Sequence, residues 1–384
     1  MPQHTNVRLF TAAEYKDIDW PNDKDGAYAK AYWGAFMRDG AKHYIDNIET
    51  EVALLRIDHL AIPVTINDAQ WTNSYVCSPY THFISYAIEE LYLLPNRFLR
   101  VVLHGIILLL GLFLRITQVN RVVHVNNWLL STNLYPQITP SQINEITTYL
   151  KKRFPTHAII FRSVQKHFSD EMFIGFCNTG YTSIMSRQIY FFDPKNPKKM
   201  KAKPLKQDQK LLRESSYRII SAKSLSLDVL PRIVALYSDL YLNKYSTLNP
   251  QFTKAFIALA LEQETLFLKV LQTPDGNIDA VLGYFVRNGM MTTPLFGYDT
   301  SKPQKIGLYR LLSTILVHDA RDKGLLLHQS SGAANFKRLR RAEPAAEYSM
   351  VFTRHLAWFR RLPWWTLDVI MKKIGEPLLS KYQL

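Results

Sequence analysis

Two cysteines in 384 residues, Cys77 and Cys177, are too few and too far apart for a disulfide framework, so the sequence reads as that of an intracellular protein. Paired-cysteine and His-x-x-x-His spacings are missing, which removes the usual zinc signatures, and no metal is expected. A glycine-rich dinucleotide fingerprint is also missing. The first residues, MPQHTNVRLFTAAEYKDIDW, have no apolar core and do not form a secretory signal, so the chain is expected in the cytoplasm. Acidic side chains are the scarcer charge: 32 Asp and Glu stand against 47 Lys and Arg, a net +15. That balance favours polyanionic partners such as nucleic acid, phosphorylated cofactors, acidic proteins or anionic lipid, or else a merely basic solvated surface.

Apolar and aromatic residues are abundant. Hydrophobic residues make up 47% of the chain, with 20 Phe, 21 Tyr and 7 Trp, enough to bury a large core and to exclude disorder over most of the length. One stretch, FLRVVLHGIILLLGLFLRI at 98–116, is nearly unbroken in its apolarity from Val101 to Leu114. It is shorter than the roughly 18 residues of a membrane span. Three roles are open to it: a core helix, the wall of an acyl-chain chamber, or a surface membrane contact. In the second, Gly105 and Gly111 would leave room for an acyl chain passing close to the backbone.

Residues 193–210, DPKNPKKMKAKPLKQDQK, carry seven lysines and three prolines and read as an exposed connector. Before it, strand-like content at 51–66, a helix at 82–96, an extended RVVHV at 121–125, a helix from Pro140 to Arg153 with Ser141 as a cap, and strands HAIIFRSV and YTSIMSRQIYFF make a mixed α and β half. After it, helices at 228–243 and 249–262, the second capped by Asn249, precede strands at 264–272, 278–287 and 290–297. Asp275-Gly276 and Asn288-Gly289 are hairpin turns. A helix beginning after Gly307 carries Leu308, Leu311, Leu312, Ile315 and Leu316 on one face and ends at Gly324. Strand LLLHQSS, a short helix AANFKRLRRA and strand EYSMVF complete the order ααβββαβαβ.

That order, with Gln304-Lys305-Ile306-Gly307 between a strand and a helix, resembles the GCN5-related N-acetyltransferase (GNAT) fold. There, a Gln/Arg-x-x-Gly-x-Gly/Ala loop leads into a helix that binds the pyrophosphate of acyl coenzyme A. First-turn amides have no partners inside a helix, and its dipole attracts phosphate there. Tyr309 replaces the final small residue of the loop, which favours a phosphopantetheine arm on an acyl carrier protein. GYDTSKPQKIGLYRLL, HQSSGAANFKRLRRAEPAAEYSMVF and, in the first half, HVNNWLLSTNLYP are similar to the larger tandem FemAB/BioF-like branch. The resemblance implies an α/β protein of two tandem GNAT-like domains, mixed central sheets with flanking helices: a degenerate domain at 1–215, including the apolar segment 98–116, and a catalytic domain at 216–384.

The activity it implies is N-acyl transfer, with a fatty chain of medium or long length moved from coenzyme A or a carrier-protein thioester to an amine, a peptide side chain included. The donor loop would comprise Gln304, Lys305, Ile306, Gly307, Leu308, Tyr309 and Arg310. Removal of the amine's proton needs a base, for which Asp299 and His328 are candidates. Tyr298 would orient substrate, and Tyr309, Lys337 or solvent would supply the acid that Phe336 cannot. Lys337, Arg338, Arg340 and Arg341 form a basic cluster suited to an acidic carrier protein. A thiol nucleophile at Cys77 with His82 ranks lower. Two rivals stand: an aminoacyl-tRNA-dependent transferase of the FemX kind, and a non-catalytic, membrane-associated binding protein. Nucleic acid is not an expected partner of the main reading.

Overall fold

The structure, a computed structural model, describes residues 7–166, 170–221 and 224–378. Contacts divide the chain into two compact units: unit 1 is Met1–Arg187, Leu248–Pro250 and Ala346–Leu384, and unit 2 is Gln188–Thr247 and Gln251–Ala345. Along the described chain run twelve strands: β1 Arg8–Thr11, β2 Glu51–Ile57, β3 Leu60–Asn67, β4 Val122–Val125, β5 Ala158–Gln165, β6 Thr182–Phe192, β7 Arg218–Ser221, β8 Phe267–Gln272, β9 Ile278–Arg287, β10 Met290–Tyr298, β11 Leu326–His328 and β12 Glu343–Phe352.

Both units are α/β, each a mixed sheet flanked by helices. In unit 1 the order is β1-β2-β3-β4-β5-β12, antiparallel except for the parallel β4–β5 pair. Unit 2 has β6-β11-β10-β9-β8-β7, with β10–β11 as its parallel pair. The two units therefore repeat one plan, antiparallel strands leading to a single parallel crossover, and this is the tandem GNAT-like topology. Each sheet ends on a strand drawn from elsewhere in the chain: β12, late in sequence, closes on β5, while the middle strand β6 closes on β11.

Local chemistry explains the turns. Asn288 and Gly289 both have positive φ, 47° and 74°, the backbone of a two-residue hairpin between β9 and β10. Pro63 lies inside β3 rather than ending it; the ladder to β4 covers only Val64–Asn67, so the missing amide costs no bond on that side. Two helix starts differ from expectation. Thr139, not Ser141, caps Pro140–Arg153, in a reciprocal pair with Gln142. Thr253, not Asn249, caps Lys254–Glu262, because Leu248 and Asn249 instead give their carbonyls to Tyr75, Ser74 and Asn47 of unit 1. The fourth strand of the second repeat is also shorter than LLLHQSS suggested.

The lysine-rich run is not a connector. It forms two helices of unit 2, Pro197–Met200 and Lys203–Glu214, and the second carries Leu205, Leu211 and Leu212 into the unit 2 core with its lysines outward. The units part at Arg187/Gln188, so position 215 falls within unit 2, and the C-terminal residues return to unit 1. The apolar segment forms helix Arg97–Ile116, in which only Gly111 and Leu114 are buried. A core helix is thereby excluded. A wall for an acyl chain finds no support either: a Cβ at Gly111 would meet Tyr80 and Ile84 at 3.1 Å, while Gly105 faces open space.

Candidate functional site

The parallel ladder between β10 and β11 pairs only Met290–Thr292 with Leu326–His328. Beyond that level β11 stops and β10 runs on to Tyr298, shifted by a bulge between Thr292 and Leu295 while it keeps its pairing to β9. The result is a wedge in the sheet. On its open side, residues 293–298 of β10 have no β11 partner, leaving backbone groups able to bond an extended ligand. The loop after β11 is strained: Ser330, Gly332 and Ala333 all have positive φ. Lys337, buried, holds that loop by donating from Nζ to the carbonyls of Gln329, Ser330 and Ser331 at 2.6, 3.1 and 2.7 Å. All three ammonium protons are thus committed to the loop, which makes Lys337 a clamp rather than an acid.

Past Tyr298, on the open side of the wedge, the chain turns through Gln304, Lys305 and Ile306 to Gly307, whose φ of 76° starts helix Leu308–Asp322. Gln304 and Lys305 are exposed, Ile306 is half-buried and Leu308 is buried. Gly307 is favoured by its left-handed backbone, and a Cβ there would lie 2.8 Å from the methyl end of Leu211, which would have to shift. The turn is therefore roofed on that side by helix Lys203–Glu214. Arg310 points to the same helix: its Nε bonds Asp208 at 2.6 Å, and Arg340 bonds the other oxygen at 2.5 Å. Tyr309 packs against Phe296, Tyr298 and Phe336, and burial raises its phenol above the ordinary range.

Asp299 lies just past β10, in a cleft of about 430 Å³ lined in part by Asp228, Arg232, Asp279 and Lys302. Its carboxylate takes Arg232 at 2.8 Å and Ser301 at 2.5 Å. Burial pushes its pKa up, but the bonds from Ser301 and Arg232 prevail and hold it below the usual value, so it is an ionised anchor and a weak base. His328 is buried in β11, its Nδ1 accepting from the Ser330 amide and its ring against Phe191. By register His328 lies level with Thr292, seven residues before Asp299, roughly 20 Å along the strand. The wedge thus has His328 at its apex and Asp299 at its mouth, and one reacting centre cannot use both. Tyr298 stands near Asp299, its hydroxyl 3.4 Å from Lys244.

The corresponding crossover of unit 1, between β4 and β5, holds no glycine turn. Trp128, Leu129 and Leu130, which follow β4, are buried, and Trp128 packs against Tyr28, Tyr32 and Trp33. Charge is nevertheless buried beside it. Arg187 pairs with Glu347 at 2.7 Å, and Arg162 donates to the Val76 carbonyl at 2.7 Å and to Asn127. Asp208, Arg162, Arg187 and Arg232 were missed by sequence reasoning. Arg162 and Arg187 did carry a signal, since each is a cation in the middle of an apolar strand. Cys77 is buried and its thiol is pushed up to about 12 by that burial, which removes it as a nucleophile. Among the described residues, no group of three His, Cys, Asp or Glu gathers as a metal site.

This cluster makes a pH prediction. Burial, then Arg162 and Arg187, lowers His82 to about 3; burial first and then Arg162 lowers His124. Both are neutral in the fold and take up protons on unfolding below about pH 6.5. Stability is then fully present above that pH and falls as pH drops, by up to about 1.4 kcal/mol per unit for each histidine. Urea midpoints measured from pH 7.5 to 5 should decline, and His124→Asn should flatten the decline; an unchanged slope would count against the assignment.

No protein-family model matches the chain, and no curated protein does. Solved structures are similar in fold. A conserved protein of unknown function from Bacteroides thetaiotaomicron is 11% identical, covering 90% of this chain and 99% of that one, with a TM-score of 0.48. L-PGS from Bacillus licheniformis is 15% identical over 60% of this chain and 78% of its own, TM-score 0.44. A tandem GNAT protein from the clavulanic acid biosynthesis pathway is 8% identical, covering 90% and 98%, TM-score 0.39. The fold defines the class: an α/β protein of tandem GNAT-like architecture.

Proposed function

We propose that the chain is a transferase that moves an acyl group to an amine, with unit 2 as the donor-binding unit and a coenzyme A or carrier-protein thioester, fatty chains included, as donor. The wedge between β10 and β11 carries this reading. An extended arm with amide groups, such as phosphopantetheine, can add to the unpaired edge of β10 as a strand would, and its phosphate end would reach the open amides after Gly307. The thioester would then lie within the wedge, near the strained loop that Lys337 holds. Unit 1, whose segment between β4 and β5 holds no glycine turn, is proposed to serve the acceptor rather than the donor.

The rival, transfer from aminoacyl-tRNA, draws on the outward lysines of Lys203–Glu214. A thermal-shift and thiol-release series with acyl coenzyme A of two to sixteen carbons, acylated carrier protein and charged tRNA separates them. Stabilisation and thiol release with a thioester donor are expected. Stabilisation by charged tRNA alone selects the rival, and a response to none of the three removes both.

A further inference from the structure

Helix Arg97–Ile116 presents two unlike faces. Inward, Ile107, Leu110, Phe113 and Leu114 pack on a core layer of unit 1. Outward, Phe98, Val102, Leu109, Leu112 and Ile116 repeat at helical spacing and are exposed, Phe98 by 78%, Leu109 by 72% and Ile116 by 72%. Gly105 occupies the one remaining place in that stripe, with nothing within 4 Å of its would-be Cβ. A surface helix of a soluble protein puts polar residues there; this one has none. A second helix, Trp358–Ile370, shares the same core layer through Trp364 and Leu367 and leaves Trp358, Leu362 and Trp365 outward, Trp358 by 75% and Trp365 by 63%. The two are joined at a corner, where buried Arg360 donates to the carbonyls of Thr117 and Gln118 at 2.6 and 2.7 Å.

We propose that these two helices form a docking surface that lies in the headgroup and upper acyl region of an anionic lipid membrane. Charge selects this occupant. No Asp or Glu occurs between Glu90 and Glu145, whereas Arg97, Arg100 and Arg115 edge the first helix; Arg361 and Lys373 accompany the second, whose Asp368 is neutralised by Lys372 at 2.8 Å. Lipid phosphates would meet those cations while the apolar stripe enters the acyl boundary, and tryptophan is the residue best suited to that boundary. The packed inner face fixes the mode of contact. Leaving the core to cross the bilayer would strip Leu114 and its neighbours of their contacts, so the helix lies on the membrane instead.

Sedimentation with vesicles tests this, using phosphatidylcholine alone and phosphatidylcholine with about one phosphatidylglycerol in three lipids. Wild-type protein should pellet with the anionic vesicles, less so at high salt, and be released by alkaline carbonate. Phe98→Glu/Leu109→Glu should lower the partition coefficient by about 100-fold or more, since two anchors are lost and two like charges meet the surface. Both side chains point to solvent, so the variant's melting curve should match wild type, and Trp358→Ala/Trp365→Ala provides an independent second variant. Three outcomes overturn the proposal: no wild-type pelleting with anionic vesicles, undiminished binding by both folded variants, or extraction by detergent alone, which would make the helix a span.

Discussion

Gly307→Val should cost the protein about 3 kcal/mol and lower turnover at least about 100-fold. The stability loss has two parts. A β-branched residue at a φ of 76° is strained by roughly 1–3 kcal/mol, and its Cβ would meet the methyl end of half-buried Leu211 at 2.8 Å, which that side chain relieves by shifting at a further cost of up to about 1 kcal/mol. The activity loss follows from displacement of the first-turn amides, since a shift of about 1 Å in a positioning element can remove two orders of magnitude. Because of Leu211 the substitution is not a clean functional probe, although the motif alone suggests that it would be. Adding Leu211→Ala separates the parts. The double variant should regain the overlap cost but neither the strain nor the turnover. Gly307→Val melting like wild type, or a double variant with full activity, would show that the turn does not position the donor.

Asp208→Leu is expected to be the most destabilising single change in unit 2, at about 3–5 kcal/mol. The buried carboxylate joins three helical elements: its own helix, helix Leu308–Asp322 through Arg310 and the region after Ala334–Leu339 through Arg340. Without it Arg340, largely buried, keeps the Phe336 carbonyl through Nη1 and the Phe336 ring, but no carboxylate. Urea unfolding followed by circular dichroism would show the loss as a lower midpoint at constant slope. Asp208→Leu/Arg340→Met should be less damaged than Asp208→Leu, because removing both partners leaves no uncompensated charge. A single variant within 1 kcal/mol of wild type would mean that the three-way pair contributes little.

Much of the second repeat was legible because its signals are local. Asn288-Gly289 fixes a hairpin by backbone conformation, and Leu308 to Leu316 fixes a helix by spacing, whatever lies around them. Misreadings arose where tertiary context decides. The lysines of 193–210 resemble a solvated connector until Leu205, Leu211 and Leu212 are seen at helical intervals among them. Asn249 has the chemistry of a cap, yet its segment is held by unit 1. For the site, the turn at Gly307 could be read, but not its roof, since Leu211 is distant in sequence. Asp299 and His328 looked like alternatives for one proton because both flank the same two strands; only the register shows that they stand at opposite ends of the wedge. Lys337 looked reactive as part of a cationic run, and its three carbonyl partners lie in a loop whose strained conformation has no sequence signature beyond Gly332.

The exchange of closing strands also bears on how the protein is made. On the ribosome, β5 emerges early but waits for β12, so nearly all of unit 2 is synthesised before unit 1 can complete its sheet. Throughout that interval the nascent chain carries an open apolar edge, Ile159 to Val164, of the kind that templates aggregation. A premature stop before Ala346 would therefore not release one complete unit. It would release a chain whose first unit lacks a strand and whose fate rests with chaperones and proteases.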